Sequence, residues 1–301
     1  MRQLIYLGTW FMKARFLGIK KPLQTVLFIN ETCNLACRHC TAYKAENPIS
    51  KSYDQIREEL VYSHKLGARF VDFEGGEPTL WRDGNYDLNS LIRLSKQIGF
   101  YSATMTTNAL LPFKGSEADS IWVSLDGLGD YHDDIRGKGS FERLVENIAT
   151  SGHPAVSVNM VINNRNYHSV NETIEFAKNN PHIQSISLNF HTPYSQTAGL
   201  FLDWDIRAEI IDQIIEKKNK GYPIMNSISG LKLMKHNQFK KNCWITNFIL
   251  ADSTRLSECP GKTAGICDHC GFSMAGEMRS VFAMKPDTVM AGMKLRVKRR
   301  Q

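Results

Sequence analysis

Three thiols lie within eight residues, in the run Cys33-Asn34-Leu35-Ala36-Cys37-Arg38-His39-Cys40. Two soft ligands at this spacing would make half of a zinc site or a redox pair. Three close thiolates can hold three irons of a cubane iron–sulfur cluster and leave the fourth iron open to a substrate or cofactor. The competing reading is a zinc site completed by His39 or by a distant cysteine. A second group stands about two hundred residues later, Cys243-x15-Cys259-x7-Cys267-x2-Cys270. Four thiols suffice for one fully coordinated [4Fe–4S] cluster, and equally for tetrahedral zinc. Seven cysteines in two tight clusters is an odd count, which points to metal rather than to a disulfide set.

The elements that must position these residues alternate. Residues 23–30, 70–74, 101–107, 120–126, 155–163 and 183–190 read as strands. Helical periodicity occupies 53–66, 88–98, 141–150 and 170–178, with a cramped turn of helix near 115–118. Ile206, Ile210, Ile211, Ile214 and Ile215 form an apolar stripe on a last helix. Six strand–helix units imply parallel strands and right-handed crossovers. The expected fold is α/β, a partial (β/α)6 barrel over residues 22–222. A small C-terminal cysteine-rich extension follows over 223–284, between a basic, aromatic N-terminal extension (1–21) and a basic tail (285–301). Functional residues then belong on loops at the C-terminal strand ends, where Cys33, Cys37 and Cys40 follow the first strand.

The spacing Cys33-x3-Cys37-x2-Cys40 resembles the signature of the radical S-adenosylmethionine (SAM) superfamily. That resemblance implies a [4Fe–4S] cluster on the three cysteines, with SAM on its open iron, and His39 as a flat group near the adenine. "FEGGEPTL" (residues 73–80) is similar to the family's Gly-Gly-Glu-Pro motif. Gly75 and Gly76 would let a ligand approach the backbone, and Glu77 could hold an ammonium. "TTNA" (106–109) resembles the family's third-strand motif and adds Asn108, with Ala109 in place of glycine. "VSLDG" (123–127) and the following "HDDIRGKGSF" (132–141) resemble its fourth-strand region. The likeness makes Ser124 and Asp126 polar partners for SAM and sets Arg136 against its carboxylate; Asp126 and Arg136 could instead pair with each other. Asn159 is either a SAM contact or a hydrogen-bonded core residue. His191 and Tyr194, after the sixth strand, are placed for proton transfer or for packing. The C-terminal cysteines resemble the auxiliary-cluster domains called SPASM and twitch, with Asp252-Ser253 at the turn of a hairpin. This likeness favours a second [4Fe–4S] cluster over zinc.

The net charge is +7, concentrated at the two ends. Residues 1–21 hold Arg2, Lys13, Arg15, Lys20 and Lys21 without an acid; residues 285–301 are again strongly basic. No stretch is long and apolar enough to span a bilayer, and no secretory signal is evident. A cytoplasmic location is expected, with the basic ends touching an anionic membrane surface or simply solvated. The C-terminal "GICDHCGFSM" is similar to radical SAM enzymes that modify hopanoid lipids, which admits a lipid substrate. A nucleic-acid partner is not expected, since no recognition fold accompanies the charge. The expected activity is reductive SAM cleavage to a 5′-deoxyadenosyl radical that abstracts hydrogen from an unidentified substrate. The resemblance to radical SAM enzymes implies a reduced flavodoxin or ferredoxin as the donor. The rival readings are a ribosomal-peptide maturase with a separate recognition partner, a non-enzymatic iron–sulfur carrier, and a zinc-stabilised binding module.

Overall fold

The computed structural model describes residues 2–41 and 46–296, so residues 297–301 of the expected basic tail lie outside the described residues. The chain opens with α1 (Arg2–Phe16), β1 (Gln24–Phe28), α2 (Tyr53–Leu66) and β2 (Phe70–Glu74). Next come α3 (Leu88–Ile98), β3 (Ser102–Thr107), β4 (Ser120–Ser124), α4 (Asp130–Arg136) and α5 (Ser140–Thr150). β5 (Val156–Ile162), α6 (Val170–Asn179), β6 (Ile186–Phe190), α7 (Trp204–Asn219) and α8 (Ile228–Met234) complete the alternating part. The cysteine-rich part holds β7 (Thr246–Ile249), β8 (Arg255–Leu256), α9 (Pro260–Thr263), α10 (Ser273–Phe282) and α11 (Pro286–Arg296).

One sheet runs β6-β5-β4-β3-β2-β1-β7-β8, and β1 to β6 pair in parallel, each with the next. The sheet ends on β6 and β8 and does not close, so the architecture is the expected partial barrel. Side chains alternate across each strand. Val71, Phe73, Ala103, Met105, Ile121, Val123, Val158 and Met160 pack outward against the helices in one continuous core. The opposite face carries Asp72, Glu74, Thr104, Thr106, Trp122, Ser124, Asn159 and Asn189, in mutually consistent register.

Three features depart from the sequence reading. No helix forms at 115–118; the chain makes a turn there, with Ser116 N–H donating to Phe113 O and Asn89 Nδ2 to Gly115 O. The link between β3 and β4 is short and interrupted by Pro112 and Gly115, which leaves no room for a helical turn with packed sides. α4 lacks a signal because seven residues are too few to show periodicity. The hairpin at Asp252-Ser253 exists, with Ser253 at φ 68°, and β7 pairs in parallel with β1. It therefore extends the main sheet instead of standing apart from it.

α1 closes the end of the barrel opposite the cysteine loop. Trp10 is buried against Trp244 and Phe282, with ring centroids 5.9 and 6.0 Å away, and its Nε1 donates to Lys21 O at 2.8 Å. Phe11 stacks on Phe282, and Tyr6 meets Tyr101 edge-on. Leu4, Ile5, Met12, Phe16, Leu17 and Ile19 remain exposed. No described helix is long and apolar enough to cross a membrane.

Candidate functional site

The three-cysteine loop leaves β1 at its C-terminal end and is held from below by the β2 loop. Gly76 N–H donates to Asn30 O and Glu77 N–H to Thr32 O, both at 2.8 Å. A Cβ on Gly75 would come within 2.3 Å of Asn30 Oδ1, and one on Gly76 within 2.3 Å of Thr32 O. The glycines thus admit the chain that leads into the cysteine loop, an approach that a side chain at either position would block. Glu77 is likewise engaged. Its Oε1 accepts from Thr79 and Thr107, and its Oε2 from Asn108 N–H at 2.8 Å. Burial raises its pKa against the pull of these donors. Asn108 reaches back to the loop, donating from Nδ2 to Asn34 Oδ1 at 2.7 Å and lying 3.8 Å from Cys33 Sγ. The motif's alanine keeps the glycine conformation: Ala109 has φ 57°, a left-handed geometry that costs a non-glycine residue about 1 kcal/mol.

On the other side, α4 supplies the clamp. Asp126 is fully buried; its Oδ2 accepts from Arg136 Nε at 2.7 Å and its Oδ1 from Val161 N–H at 2.9 Å. Burial pushes its pKa up, but Arg136, His39 and the Val161 amide outweigh that and hold it below the usual range. Arg136 Nη1 lies 3.9 Å from Cys37 Sγ, so the guanidinium links the carboxylate to a thiol. Asp126 and Arg136 therefore pair with each other, the second of the two arrangements the sequence allowed. His39 Nε2 is 3.7 Å from Asp126 Oδ2, while burial lowers the imidazole to about 4 and keeps it neutral. His132 Nδ1 accepts the Asp126 amide at 3.1 Å and is also lowered to about 4 by burial.

Cys33 and Cys40 are half-buried, Cys37 is buried, and all three are free thiols. Burial raises Cys37 to about 11, and the charges of Cys33 and Cys40 act in the same direction. The three sulfurs are thus electrostatic neighbours. Among the described residues no three His, Cys, Asp or Glu side chains have closed to metal-ligand geometry. The donor set is nonetheless soft and three-fold, and His39 Nδ1 is a buried nitrogen without a partner. An open cavity of about 580 Å³ lies over the loop, lined by Cys33, Asn34, Leu35, Arg136 and Gly137. These features fit a cubane cluster with one iron left for a further ligand.

The remaining candidates divide between two places. Ser124 stands opposite Asn159 in register, and Asn159 Oδ1 accepts from Asn189 Nδ2 at 2.6 Å, so both lie on the inner barrel wall. His191 is buried, its Nε2 is 3.0 Å from Thr197 O, and its ring is close enough to His39 to lower that imidazole. Tyr194 belongs to the other thiol group. Burial and then Cys259, Cys270 and Cys267 push its phenol up to about 12. Burial raises Cys243 to about 12, with Cys259, Cys270 and Cys267 adding to it, so the four C-terminal thiols also sense one another. Their loop is docked on β6: Phe190 N–H donates to Gly271 O, and Gly271 N–H to Thr192 Oγ1, both at 2.9 Å.

Sequence reasoning missed Asp72, Glu74 and Arg207. Asp72 accepts from Thr104 Oγ1 at 2.8 Å, and Glu74, raised to about 8 by burial and by Asp72, lies two residues further along β2. Two acids at alternate positions of an otherwise apolar strand were the available signal. Arg207 interrupts the isoleucine stripe of α7 and is fully buried.

The Radical SAM superfamily sequence model matches residues 27–177. A protein of Saccharolobus islandicus described as "Probable GTP 3′,8-cyclase" is 31% identical over 275 residues, covering 86% of this chain and 83% of its own. The mycofactocin maturase MftC of Mycobacterium tuberculosis is 26% identical over 162 residues, 52% of this chain and 41% of that one. Among solved structures, Streptococcus suis SuiB bound to S-adenosylmethionine superposes with a TM-score of 0.65 at 16% identity, covering 99% of this chain and 73% of SuiB. The enzyme anSMEcpe with bound AdoMet and a peptide gives 0.60 at 15% identity, over 92% of this chain and 84% of its own. The matched segment begins in β1, just before the three-cysteine loop, and ends in α6, so it takes in the loop together with the β2, β3 and α4 residues that brace it; the chain belongs to the radical SAM superfamily.

Proposed function

We propose that Cys33, Cys37 and Cys40 hold the catalytic [4Fe–4S] cluster, that SAM binds in the cavity above it, and that the substrate lies against the polar inner wall of the barrel. When bound, cluster and SAM supply a one-electron cleavage that yields methionine and a 5′-deoxyadenosyl radical able to take a hydrogen from substrate. The chain's own residues orient and enclose. Arg136 and Asp126 hold Cys37 and His39 in place; Asn108 and Glu77 fix the loop from the β2–β3 side. His39 Nδ1, Ser124 and Asn159 are among the polar groups we assign to the ligand. A reduced flavodoxin or ferredoxin provides the electron. Cys243, Cys259, Cys267 and Cys270 hold a second [4Fe–4S] cluster, with zinc as the alternative.

The observation that carries our reading of the substrate class is the inner wall. On this wall Asp72, Glu74, Thr106, Ser124, Asn159 and Asn189 set carboxylate, hydroxyl and amide groups beside the apolar Val26, Phe28 and Trp122, and an acyl chain would leave those polar groups unmet. Asp72, beside a Glu74 that burial and Asp72 keep largely protonated, leaves a carboxylate charge that would repel a polyphosphate. A peptide bearing donors or a cation fits this wall. The likeness to MftC, named a maturase, supports that choice; the cyclase relative, similar over more of the chain, makes a nucleotide the rival class. The peptide class therefore replaces the lipid as the leading substrate.

Anaerobic reconstitution with iron and sulfide tests the cofactor reading. About eight irons per chain, a reduced spectrum changed by SAM, and 5′-deoxyadenosine after dithionite are expected. About four irons with zinc would leave the enzyme and reassign the C-terminal thiols. Iron with no response to SAM would turn the assignment to a non-enzymatic electron carrier. For the substrate, deuterated peptide, nucleotide and lipid fractions are offered in turn. Deuterium should enter 5′-deoxyadenosine from the peptide fraction, and transfer from lipid would overturn the class.

A specific observation favours membrane contact as a second feature. Leu4, Ile5, Met12, Phe16, Leu17 and Ile19 are exposed among Lys13, Arg15, Lys20 and Lys21. Co-sedimentation with anionic vesicles at low salt, lost on deleting residues 1–19, is the expected result. No sedimentation of the intact chain would sink it.

A further inference from the structure

Arg207 lies on the buried face of α7, one turn before Ile210 and Ile211, with 0% of its surface exposed. A cation this deep ordinarily sits on a carboxylate. Among the described residues Arg207 instead has only a carbonyl: its Nη2 donates to Cys270 O at 3.1 Å. Its Nε and Nη1 are buried with no partner. Phe190 and Trp204 flank the guanidinium at 4.5 and 4.7 Å, which orients it without neutralising it. Unmet donors on a buried charge call for an anion beside them. Thiolate-ligated metal at the C-terminal cysteines would be such an anion.

We propose that Arg207 is the resident counter-cation of the group bound by Cys243, Cys259, Cys267 and Cys270, with Nε and Nη1 donating toward its sulfurs. This rests on the reading that those cysteines hold an iron–sulfur cluster. The tie to Cys270 O keeps the guanidinium in register with the ligand loop, and the rings on either side exclude water. A fixed positive charge and N–H donors stabilise the reduced, more negative state of such a cluster, so Arg207 raises its reduction potential.

The test uses the full chain carrying Cys33→Ala, Cys37→Ala and Cys40→Ala, so that only the C-terminal group contributes iron. Iron content, optical spectrum and midpoint potential are measured with Arg207 intact, as R207K and as R207M. R207K should keep the cluster close to its starting potential. R207M should lose it, or keep it with the reduction equilibrium weakened about tenfold or more, which is about 59 mV for one electron. R207M with unchanged iron and unchanged potential would overturn the proposal. Loss of iron in both variants would also overturn it, since the charge would then be irrelevant and only the shape needed. Absence of iron while Arg207 is still intact would instead bring down the second-cluster reading, and that result is obtained before any substitution at Arg207.

Discussion

Asp126 and Arg136 bury opposite charges 2.7 Å apart beneath the cysteine loop. Removing one partner strands the other. Asp126→Asn should cost about 3–5 kcal/mol in urea unfolding. It should also lower iron retention at Cys37, since Arg136 reaches that thiol. An unchanged midpoint and full iron would show the pair to be dispensable. His132 makes a pH prediction. Burial depresses its pKa from 6.5 to about 4, so it favours the unprotonated fold. Its stabilising contribution is full above pH 6.5 and is lost as pH falls toward 4. Between pH 6.5 and 5 the loss should be on the order of 2 kcal/mol. His132→Gln should flatten that part of the stability–pH curve, and an unaltered slope would assign the effect to other groups.

At the scale of elements, the decisive contacts are between backbones. Gly271 lets the C-terminal cysteine loop lie against the end of β6; a Cβ there would stand 1.8 Å from Phe190 O. Neither partner is a flexible side chain, so the loop must move. Gly271→Ala should destabilise the protein by about 1–3 kcal/mol. It should deplete metal at the C-terminal cysteines while sparing the site at Cys33, Cys37 and Cys40. Metal analysis of the variant beside a thermal melt checks both halves, and equal loss at the two sites would contradict local undocking.

For the molecule as a whole, α1 and the cysteine-rich part meet on one aromatic cluster at the barrel's N-terminal end. Trp10 is its centre, between Trp244 and Phe282. Trp10→Ala should cost about 3–5 kcal/mol in chemical denaturation. A change under about 1 kcal/mol would mean that α1 is only loosely attached. That result would free its aromatic residues for other surfaces, whereas a large one reserves Tyr6, Trp10 and Phe11 for packing and leaves Leu4, Ile5, Met12 and Phe16 for a membrane.

By itself the sequence determined the alternation of strands and helices, the parallel order of β1 to β6, and the two thiol groups with their spacing. These are legible because strand and helix periods differ and because ligand spacing within a loop is a local property. The hairpin at Asp252-Ser253 was legible for the same reason. Tertiary structure alone decided what faces what. It gave β7 to β1 as a neighbour and turned Gly75 and Gly76 toward the cysteine loop. It joined Arg136 to Asp126 and placed Tyr194 beside the C-terminal thiols instead of the N-terminal ones. Arg207 shows the limit most directly. In sequence it is one charge in a helix, and its meaning comes from zero exposure, two idle donors and the nearness of Cys270, a residue 63 positions away.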